Sequence, residues 1–290
     1  MSDSDFNIFH VQTDDGLRLY GRDYGHDNSS QLPVVCLSGL SRNSRDFHQF
    51  AQRLASEGRR IVTLDYRGRG LSDWDANKEN YNIVREGQDV VQMLDSLGII
   101  RAAFVGTSRG GLILHVLGAM IGERIAAIVL NDIGPVLEID GLKRIRDYLS
   151  ARSQPSNFAD ATLHLKAIHA EEFPSLTDSD WHDMARAIYR QVDGALVADF
   201  DPALVEPLKS MDFSKPLADL WEQFMLLTTI PMLIIRGENS RLLSVETVAE
   251  MLARHPLARP VTARGQGHAP FLQLPEVYQA LSHFLTMNRA

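Results

Sequence analysis

A short serine-containing segment near the middle of the chain constrains the fold more than any other feature. Residues 104–111 read Phe-Val-Gly-Thr-Ser-Arg-Gly-Gly, so Ser108 lies within the pattern Gly-x-Ser-x-Gly. The apolar residues 102–105 before it are typical of a buried strand, and residues 112–121 after it are typical of a helix. This context predicts a tight strand-to-helix turn whose glycines avoid collisions with the neighbouring strand and helix, and whose serine hydroxyl is exposed.

The predicted turn would give Ser108 unusual chemistry. The N-terminal amides of the following helix point at any negative charge that forms on the serine oxygen. A glycine-rich turn with an ordinary serine would also produce the five-residue pattern. The strand before it and the helix after it favour an activated nucleophile, and therefore an enzyme.

Short β-rich runs alternate with amphipathic helical segments along most of the chain. Strands are predicted at residues 7–13, 17–24, 33–37, 60–64, 102–105, 125–130, 232–236 and 259–262. Helices are predicted at residues 45–56, 83–97, 108–121, 245–253 and 275–286. The first two strands resemble an antiparallel hairpin, and the alternation of the rest predicts an α/β fold. Its eight-stranded sheet is mostly parallel and is covered by helices on both faces.

The alternation breaks between Gly134-Pro135 and about residue 227. This stretch contains no convincing strand, and helical pieces are predicted at residues 141–151, 159–170, 178–191 and 216–224. Thr177 to Asp180 has the cap residues and acidic first turn of a helix start. We interpret residues 136–225 as a helical lid inserted after the sixth strand, between core segments 1–135 and 226–290.

A serine nucleophile needs a base, and His268 is the best candidate among ten histidines. It lies in a glycine-rich loop, Gly265-Gln266-Gly267-His268-Ala269-Pro270, between the last predicted strand and the final helix. Such a loop brings an imidazole back over the strand ends. The remaining mid-chain histidines are interpreted as packing or solvent-facing residues, although one in the lid could touch substrate: His115, His164, His169 and His182.

The developing oxyanion needs two backbone N–H groups. One is expected from Arg109, directly after the nucleophile, and the other from the loop after the third strand, Ser38-Gly39-Leu40-Ser41-Arg42. Gly39 permits a tight turn there, and Leu40 supplies the N–H.

These features together resemble the α/β-hydrolase fold superfamily over nearly the whole chain. The segment Asp65-Tyr66-Arg67-Gly68-Arg69-Gly70-Leu71-Ser72 matches the superfamily pattern D-x-R-G-x-G-x-S. The resemblance implies a structural role for this segment, in which Arg67 and Asp65 can pair. Ser38 stands where the superfamily often has histidine, which is a mild departure.

The more important departure concerns the acid that orients the histidine. Relatives usually carry an aspartate after the seventh strand, but the expected positions hold Ser240 and Arg241. Certain haloalkane dehalogenases carry the acid at the end of the sixth strand, where this chain has Asp132. The resemblance therefore implies Asp132 as the acid, with a structural aspartate as the equal alternative. Glu238 is the second candidate, and a Ser108–His268 dyad is the third possibility.

Composition excludes several other classes of function. Acidic side chains outnumber basic ones by 37 to 29, which argues against binding nucleic acid or an anionic membrane. No apolar run approaches ~20 residues, and no signal sequence follows the acidic residues 1–5. The single cysteine, Cys36, permits no internal disulfide and fits a reducing, cytoplasmic setting. We expect a monomer or homodimer with a small-molecule substrate, and neither a cofactor nor a metal is implied.

The sequence therefore predicts a serine hydrolase that cleaves an ester-like carbonyl. Esterase, lactonase, carbon–carbon hydrolase and cofactor-free haloperoxidase activities all remain open, whereas a serine nucleophile argues against haloalkane or epoxide hydrolysis. The alternative is a non-catalytic or weakly active protein that uses the same pocket to bind a small ligand. The acid missing from its usual loop is the feature that favours this alternative.

Overall fold

The computed structural model describes residues 6–25, 31–151 and 154–288. The acidic segment 1–5, on which the absence of a signal sequence was judged, lies outside the described residues. Ten strands are present in the described part, in chain order β1 (Asn7–Gln12), β2 (Arg18–Tyr24), β3 (Val34–Leu37), β4 (Ile61–Leu64), β5 (Ala102–Thr107), β6 (Ile125–Asn131), β7 (Tyr189–Val192), β8 (Ala195–Ala198), β9 (Met232–Gly237) and β10 (Ala258–Ala263).

Helices occupy most of the connections between these strands. The described α-helices are α1 (His48–Ser56), α2 (Ile83–Ser96), α3 (Arg109–Ile121), α4 (Ile139–Ser150), α5 (Phe158–His169), α6 (Asp178–Ile188), α7 (Glu206–Lys209), α8 (Trp221–Met225), α9 (Val245–Arg254) and α10 (Pro275–Met287). The five helices predicted outside the insertion correspond to α1, α2, α3, α9 and α10, with ends shifted by no more than a few residues.

Eight strands form one twisted sheet in the order β1-β2-β4-β3-β5-β6-β9-β10. β1 pairs with β2 and β2 with β4 in antiparallel fashion, and all the other neighbours are parallel. All eight predicted strands and the entry hairpin are confirmed. Parallel strands place their carboxyl ends at one edge of the sheet, so the loops after β3, β5, β6, β9 and β10 meet there.

The central strands are buried because helices cover both faces of the sheet. Every residue of β3, β4 and β6 is buried, as their continuously apolar sequences require. On one face the core includes side chains from α2, α3 and α9, and on the other it includes side chains from α1 and α10. Cys36 packs in this second cluster as a small hydrophobic residue, as its sequence context predicts.

Residues 136–225, which we call the insertion, are mainly helical, but the prediction that they contain no strand is wrong. β7 and β8 form an antiparallel hairpin closed by the two residues Asp193 and Gly194, both with positive φ. Asp-Gly between two short strands is a strong signal for such a turn. The hairpin also ends the preceding helix at Ile188, three residues before the predicted end.

A second correction concerns the end of the insertion. The helix predicted over residues 216–224 is confined to α8, whose first N–H is capped by the carboxylate of Asp219. Residues 216–220, at the start of the predicted helix, lie outside a helix. The short helix α7 was not predicted. The predicted start of α6 is confirmed, because Thr177 and Asp180 form a reciprocal capping box there.

The insertion has a small hydrophobic core of its own and is tied to the sheet by polar contacts. Its core contains the buried Trp181 and Phe173. Asn43 donates to the carbonyl of Ala187 at 3.2 Å, and Arg45 forms an ion pair with Asp199 at 2.7 Å. Within the described ranges, no helix is long and apolar enough to cross a bilayer.

The segment after β4 has a structural role, but not through the predicted pair. Arg67 is fully buried and contacts three carboxylates other than Asp65, namely those of Asp15, Asp75 and Asp89. Asp65 instead accepts backbone N–H groups from Ser44 at 2.6 Å and Leu71 at 2.9 Å. The prediction that Arg67 pairs with Asp65 is therefore wrong, because helix α2 supplies a better placed carboxylate.

Candidate active site

Ser108 lies at the sharp turn between β5 and α3 with φ 51° and ψ −115°. This conformation is strained for a residue with a side chain, and it projects the side chain away from both elements. Gly106 and Gly110 make the turn possible. A Cβ on Gly110 would lie 2.1 Å from the carbonyl oxygen of Leu37 in β3, and one on Gly106 would lie 2.7 Å from the backbone nitrogen of Gly111 in α3.

The loop between β10 and α10 brings His268 to Ser108. The His268 Nε2 atom lies 2.9 Å from the Ser108 hydroxyl oxygen, although 160 positions separate them in sequence. The Nδ1 atom of the same ring lies 2.8 Å from Oδ2 of Asp132. An ionised carboxylate only accepts hydrogen bonds, so it places the ring proton on Nδ1 and leaves Nε2 free to accept from the serine.

Asp132 follows β6 directly and is fully buried. Its Oδ1 accepts the N–H of Gly237 at 2.8 Å, and its Oδ2 accepts the Ser240 hydroxyl at 2.6 Å in addition to His268. Ser240 occupies one of the two positions where relatives carry the acid. In this chain it donates a hydrogen bond to the carboxylate instead, and its oxygen accepts from the N–H groups of Leu242 and Leu243, each at 3.2 Å.

Glu238, the other candidate acid, lies elsewhere. It is exposed, and its carboxylate accepts the backbone N–H of Gly265 at 2.7 Å. This contact stabilises the turn that precedes His268, but it does not involve the imidazole. The structure therefore brings together Ser108, His268 and Asp132, and it leaves Glu238 outside that group.

Two polar residues that the sequence analysis missed fix the His268 loop. Asn131, the last residue of β6, donates from Nδ2 to Thr107 Oγ1 at 3.1 Å and to the carbonyl of Pro270 at 2.9 Å. The buried Gln266 side chain accepts the N–H of Phe271 at 2.7 Å. Asn131 could have been identified from the sequence, because it lies at the carboxyl end of a central strand and polar side chains there face the site.

The loop after β3 reaches the same point from the other side. A Cβ built on Gly39 would lie 3.8 Å from Ser108 Cβ, so this loop passes directly beside the serine. The Ser38 hydroxyl donates to the carbonyl of Arg42 at 3.1 Å and closes the loop, which accounts for a serine where histidine is common. Among the described residues, the backbone N–H groups of Leu40 and Arg109 have no hydrogen-bond partner. Both are therefore available to a ligand oxygen.

A buried carboxylate connects the two residues that carry these N–H groups. Glu86 of α2 is fully buried between Arg109, at 2.6 Å, and Arg69, also at 2.6 Å. Arg69 in turn donates from Nε to the carbonyl of Leu40 at 2.8 Å. The attraction of both guanidinium groups keeps the pKa of Glu86 below its usual value despite burial. This network was not predicted, because its members are far apart in sequence.

Ser108 and His268 open onto a cavity of about 260 Å³ between the strand ends and the insertion. Apolar side chains from the insertion and from the His268 loop line much of it: Ile145, Leu149, Met184, Ile188, Phe271 and Leu272. His169 also lines the cavity, whereas His115 is buried in the core and donates from Nδ1 to the Gly111 carbonyl oxygen at 2.7 Å. The cavity gives a small organic molecule access to the serine hydroxyl.

Comparison with known proteins identifies related sequences and structures. The sequence profile described as "alpha/beta hydrolase fold" matches residues 33–275. The chain is 32% identical over 267 residues to a protein named 3-hydroxybutyrate-oligomer hydrolase from Cupriavidus necator, covering 90% of each chain. It is 29% identical to Esterase YbfF of Escherichia coli, covering 90% of this chain and 94% of the esterase.

A solved structure agrees closely with the fold described above. The crystal structure of an alpha/beta hydrolase from Novosphingobium aromaticivorans superposes with a TM-score of 0.90 at 36% sequence identity. The match covers 98% of this chain and 99% of that one. Sequence and structure therefore point to the same group of proteins, whose named members act as hydrolases and esterases.

Proposed function

Because the chain belongs to the α/β-hydrolase fold family and is a hydrolase, we propose that it cleaves carboxylic esters with Ser108 as nucleophile, His268 as base and Asp132 as orienting acid. The observation that carries this proposal is the continuous hydrogen-bond chain from Ser108 through His268 to Asp132, with distances of 2.9 and 2.8 Å. These distances match those needed for direct proton transfer.

The reaction follows from the positions of these groups. Ser108 Oγ attacks the ester carbonyl carbon while its proton passes to His268 Nε2. The N–H groups of Leu40 and Arg109 stabilise the negative charge on the former carbonyl oxygen. His268 then donates the proton to the departing alcohol, which leaves an acyl group on Ser108. Water, deprotonated by the same imidazole, releases the carboxylic acid and restores the serine.

Two further observations support an ester substrate. One relative is named for 3-hydroxybutyrate oligomers, whose units are joined by ester bonds, and another is named an esterase. The insertion covers the serine with apolar side chains, and we propose that it acts as a lid that selects the substrate. The hydrogen bond from His268 to Asp132 supports a catalytic role over a non-catalytic binding protein, because it supplies an acid from another strand in place of the one missing from the usual loop.

Hydrolysis of p-nitrophenyl butyrate, followed by release of p-nitrophenolate, tests the proposal. We expect turnover with a burst of nitrophenolate that approaches the concentration of enzyme, because nitrophenolate is a good leaving group and makes deacylation the slower step. Absence of turnover for this ester and for a panel of short aliphatic esters and lactones would contradict it.

Replacing the buried acid is expected to cost activity without removing the nucleophile. Asp132→Asn should lower kcat roughly 10³- to 10⁴-fold. In this variant an amide NH₂ group faces Nδ1 of His268 and favours the tautomer that carries the ring proton on Nε2. A protonated Nε2 cannot accept the proton of Ser108. The measurement is steady-state kinetics, with circular dichroism to show that the variant is folded.

Matched variants of the same loop separate the candidate acids. Glu238→Gln retains the acceptor for Gly265 and is expected to change kcat less than threefold. Ser240→Asp in the Asp132→Asn background should restore part of the loss, because Ser240 lies 2.6 Å from the Asp132 carboxylate. A large effect of Glu238→Gln combined with a small effect of Asp132→Asn would assign the acid to Glu238.

Glu86 is expected to position the oxyanion N–H groups. Glu86→Gln should lower kcat roughly 10- to 100-fold with little change in KM, because weaker contacts to Arg69 and Arg109 loosen both donors. The affinity for an alkyl boronic acid, which mimics the tetrahedral state, should fall in parallel with kcat. Loss of a buried ion partner also costs about 3–5 kcal/mol of stability.

Asp89→Asn provides the matched control for this stability loss. Asp89 lies on the same helix and is a fully buried partner of Arg67, but it does not contact Arg69 or Arg109. We expect it to lower the unfolding temperature without the change in boronate affinity. Equal effects of both variants on boronate affinity would show that Glu86 contributes only to stability.

A further inference from the structure

One corner of the cavity is polar and combines three side chains from different parts of the fold. Arg42 comes from the loop after β3, Tyr148 from α4 and His169 from the end of α5, and all three line the cavity. The rings of Tyr148 and His169 meet edge to face with centroids 4.8 Å apart. The positive charge of Arg42 lowers the pKa of His169 and opposes the rise in the pKa of Tyr148 that burial causes.

This corner has hydrogen-bonding capacity that the protein itself does not use. Asp46 accepts from Nε and Nη2 of Arg42 at 2.6 to 2.9 Å, which holds the guanidinium in place and leaves Nη1 without a protein acceptor in the described ranges. In those same ranges, neither the Tyr148 hydroxyl nor the His169 ring has a hydrogen-bond partner. Polar groups in a largely apolar cavity are stabilised when a ligand provides their hydrogen bonds.

The corner offers hydrogen-bond donors to a ligand that accepts them. Burial, together with the positive charges of Arg42 and Arg144, lowers the pKa of His169 to about 4. The ring is therefore neutral near pH 7, and the charged side chains that act on it are cationic. Arg144 pairs with Glu172 at 2.6 Å and Arg42 pairs with Asp46 at 2.6 Å, and Arg42 keeps Nη1 as a donor beyond its pair.

The corner is close to the reacting serine. A Cβ built on Gly39 would lie 3.4 Å from Arg42 Cγ and 3.8 Å from Ser108 Cβ, so the stem of Arg42 and the serine flank the same glycine. The stem of Arg42 therefore lies beside the serine turn, and Arg42 lines the same cavity as Ser108. In an ester of a 3-hydroxy acid, four bonds separate the ester carbonyl carbon from the next carboxyl carbon, a span of roughly 5 Å.

We propose that Arg42, Tyr148 and His169 form a subsite for a carboxylate of the substrate, so that this protein prefers esters with a free carboxylate near the scissile bond. The inference rests on the proposed function and names its substrate class. Arg42 Nη1 and the Tyr148 hydroxyl donate to the carboxylate, and the neutral His169 ring donates a third hydrogen bond. The apolar cavity wall then contacts the hydrocarbon part of the substrate.

The test compares charged and neutral esters of the same shape in two arms. In the first arm the carboxylate is on the alcohol side: the linear dimer of 3-hydroxybutyrate is compared with its methyl ester. In the second it is on the acyl side: mono-p-nitrophenyl succinate is compared with p-nitrophenyl levulinate, which has a methyl ketone in place of the carboxylate. In one of the two arms we expect kcat/KM to be roughly 10- to 100-fold higher for the ester with a carboxylate than for its neutral counterpart. The arm that shows this preference tells whether the bound carboxylate lies on the alcohol side or the acyl side of the scissile ester.

Variants then assign the preference to the subsite. Arg42→Gln should abolish most of the preference in kcat/KM for the charged ester over the neutral one. Tyr148→Phe should reduce this preference roughly threefold to tenfold, through a higher KM for the charged ester. Arg146→Gln is the matched control, because Arg146 lies on the same helix as Tyr148, contacts Asp147 and Phe213, and does not line the cavity. The Arg146→Gln variant should show the same preference in kcat/KM for the charged ester as the wild type.

The outcomes distinguish the subsite from the proposed function. Ser108-dependent hydrolysis with equal kcat/KM for both members in both arms overturns the subsite and leaves the esterase proposal intact. A preference for the charged member that survives in Arg42→Gln and in Tyr148→Phe overturns it as well. Failure of all four esters to react in a Ser108-dependent manner contradicts the proposed function itself.

Discussion

Replacement of Ser108 by alanine is expected to lower kcat roughly 10⁶-fold. In the proposed mechanism the hydroxyl oxygen forms the acyl intermediate, and no other hydroxyl is seen within hydrogen-bond distance of His268 in the described residues. The fold should persist, because alanine fits the same turn between Gly106 and Gly110. Steady-state kinetics with p-nitrophenyl butyrate measures the loss.

Covalent labelling provides an independent readout of the same residue. A fluorophosphonate should add one mass equivalent to the wild type and none to Ser108→Ala, as measured by intact-protein mass spectrometry. Ser41→Ala is the matched control, since Ser41 lines the same cavity but lies outside the contact with His268. Equal labelling of the wild type and Ser108→Ala would remove Ser108 from the mechanism.

His268→Ala should be nearly as damaging, with a loss in kcat of roughly 10⁵- to 10⁶-fold. In the proposed mechanism its Nε2 accepts the proton of Ser108, and its Nδ1 contact with Asp132 keeps that acceptor in the correct tautomer. The side chain lies in a loop rather than in the core, so the unfolding temperature should change little. Kinetics and thermal unfolding monitored by circular dichroism measure the two quantities.

Other histidines are the controls for this loss. His182 lies on α6 and accepts a hydrogen bond from Arg186 at 2.9 Å, and His182→Ala is expected to retain activity within about threefold. His115→Ala should destabilise the fold instead, because this ring is fully buried and burial lowers its pKa to about 4. A folded His182 variant with the activity loss expected of His268→Ala would reassign the base.

Local sequence was sufficient for the features that depend on neighbouring residues. The glycines around Ser108 predict a strand-to-helix turn because each would place a Cβ within 3 Å of the adjoining strand or helix. Continuous apolar runs predict the buried parallel strands, since strands covered on both faces have no polar side to alternate with. These two signals established the α/β fold and the order of its core elements.

Long-range contacts decided what local sequence left open. Ser240 and Asp132 are 108 positions apart, and only the sheet shows that the Ser240 hydroxyl meets the carboxylate that contacts His268. The choice between Asp132 and Glu238 depends on which carboxylate the loops turn inward, and both residues satisfy local rules equally well. The pairing of Arg67 with Asp89 rather than Asp65 was decided in the same way, by a helix that packs against the turn.

The insertion also has features that local sequence predicts and features that it does not. Its helices were predicted where amphipathic patterns and caps are strong, but the β7–β8 hairpin was missed because its strands are only four residues long and partly exposed. The sequence determined that a serine turn, a loop histidine and a carboxylate would meet at one edge of a parallel sheet. The tertiary structure alone decided which carboxylate, which donors and which cavity wall surround them, because these depend on contacts between segments that are far apart in the chain.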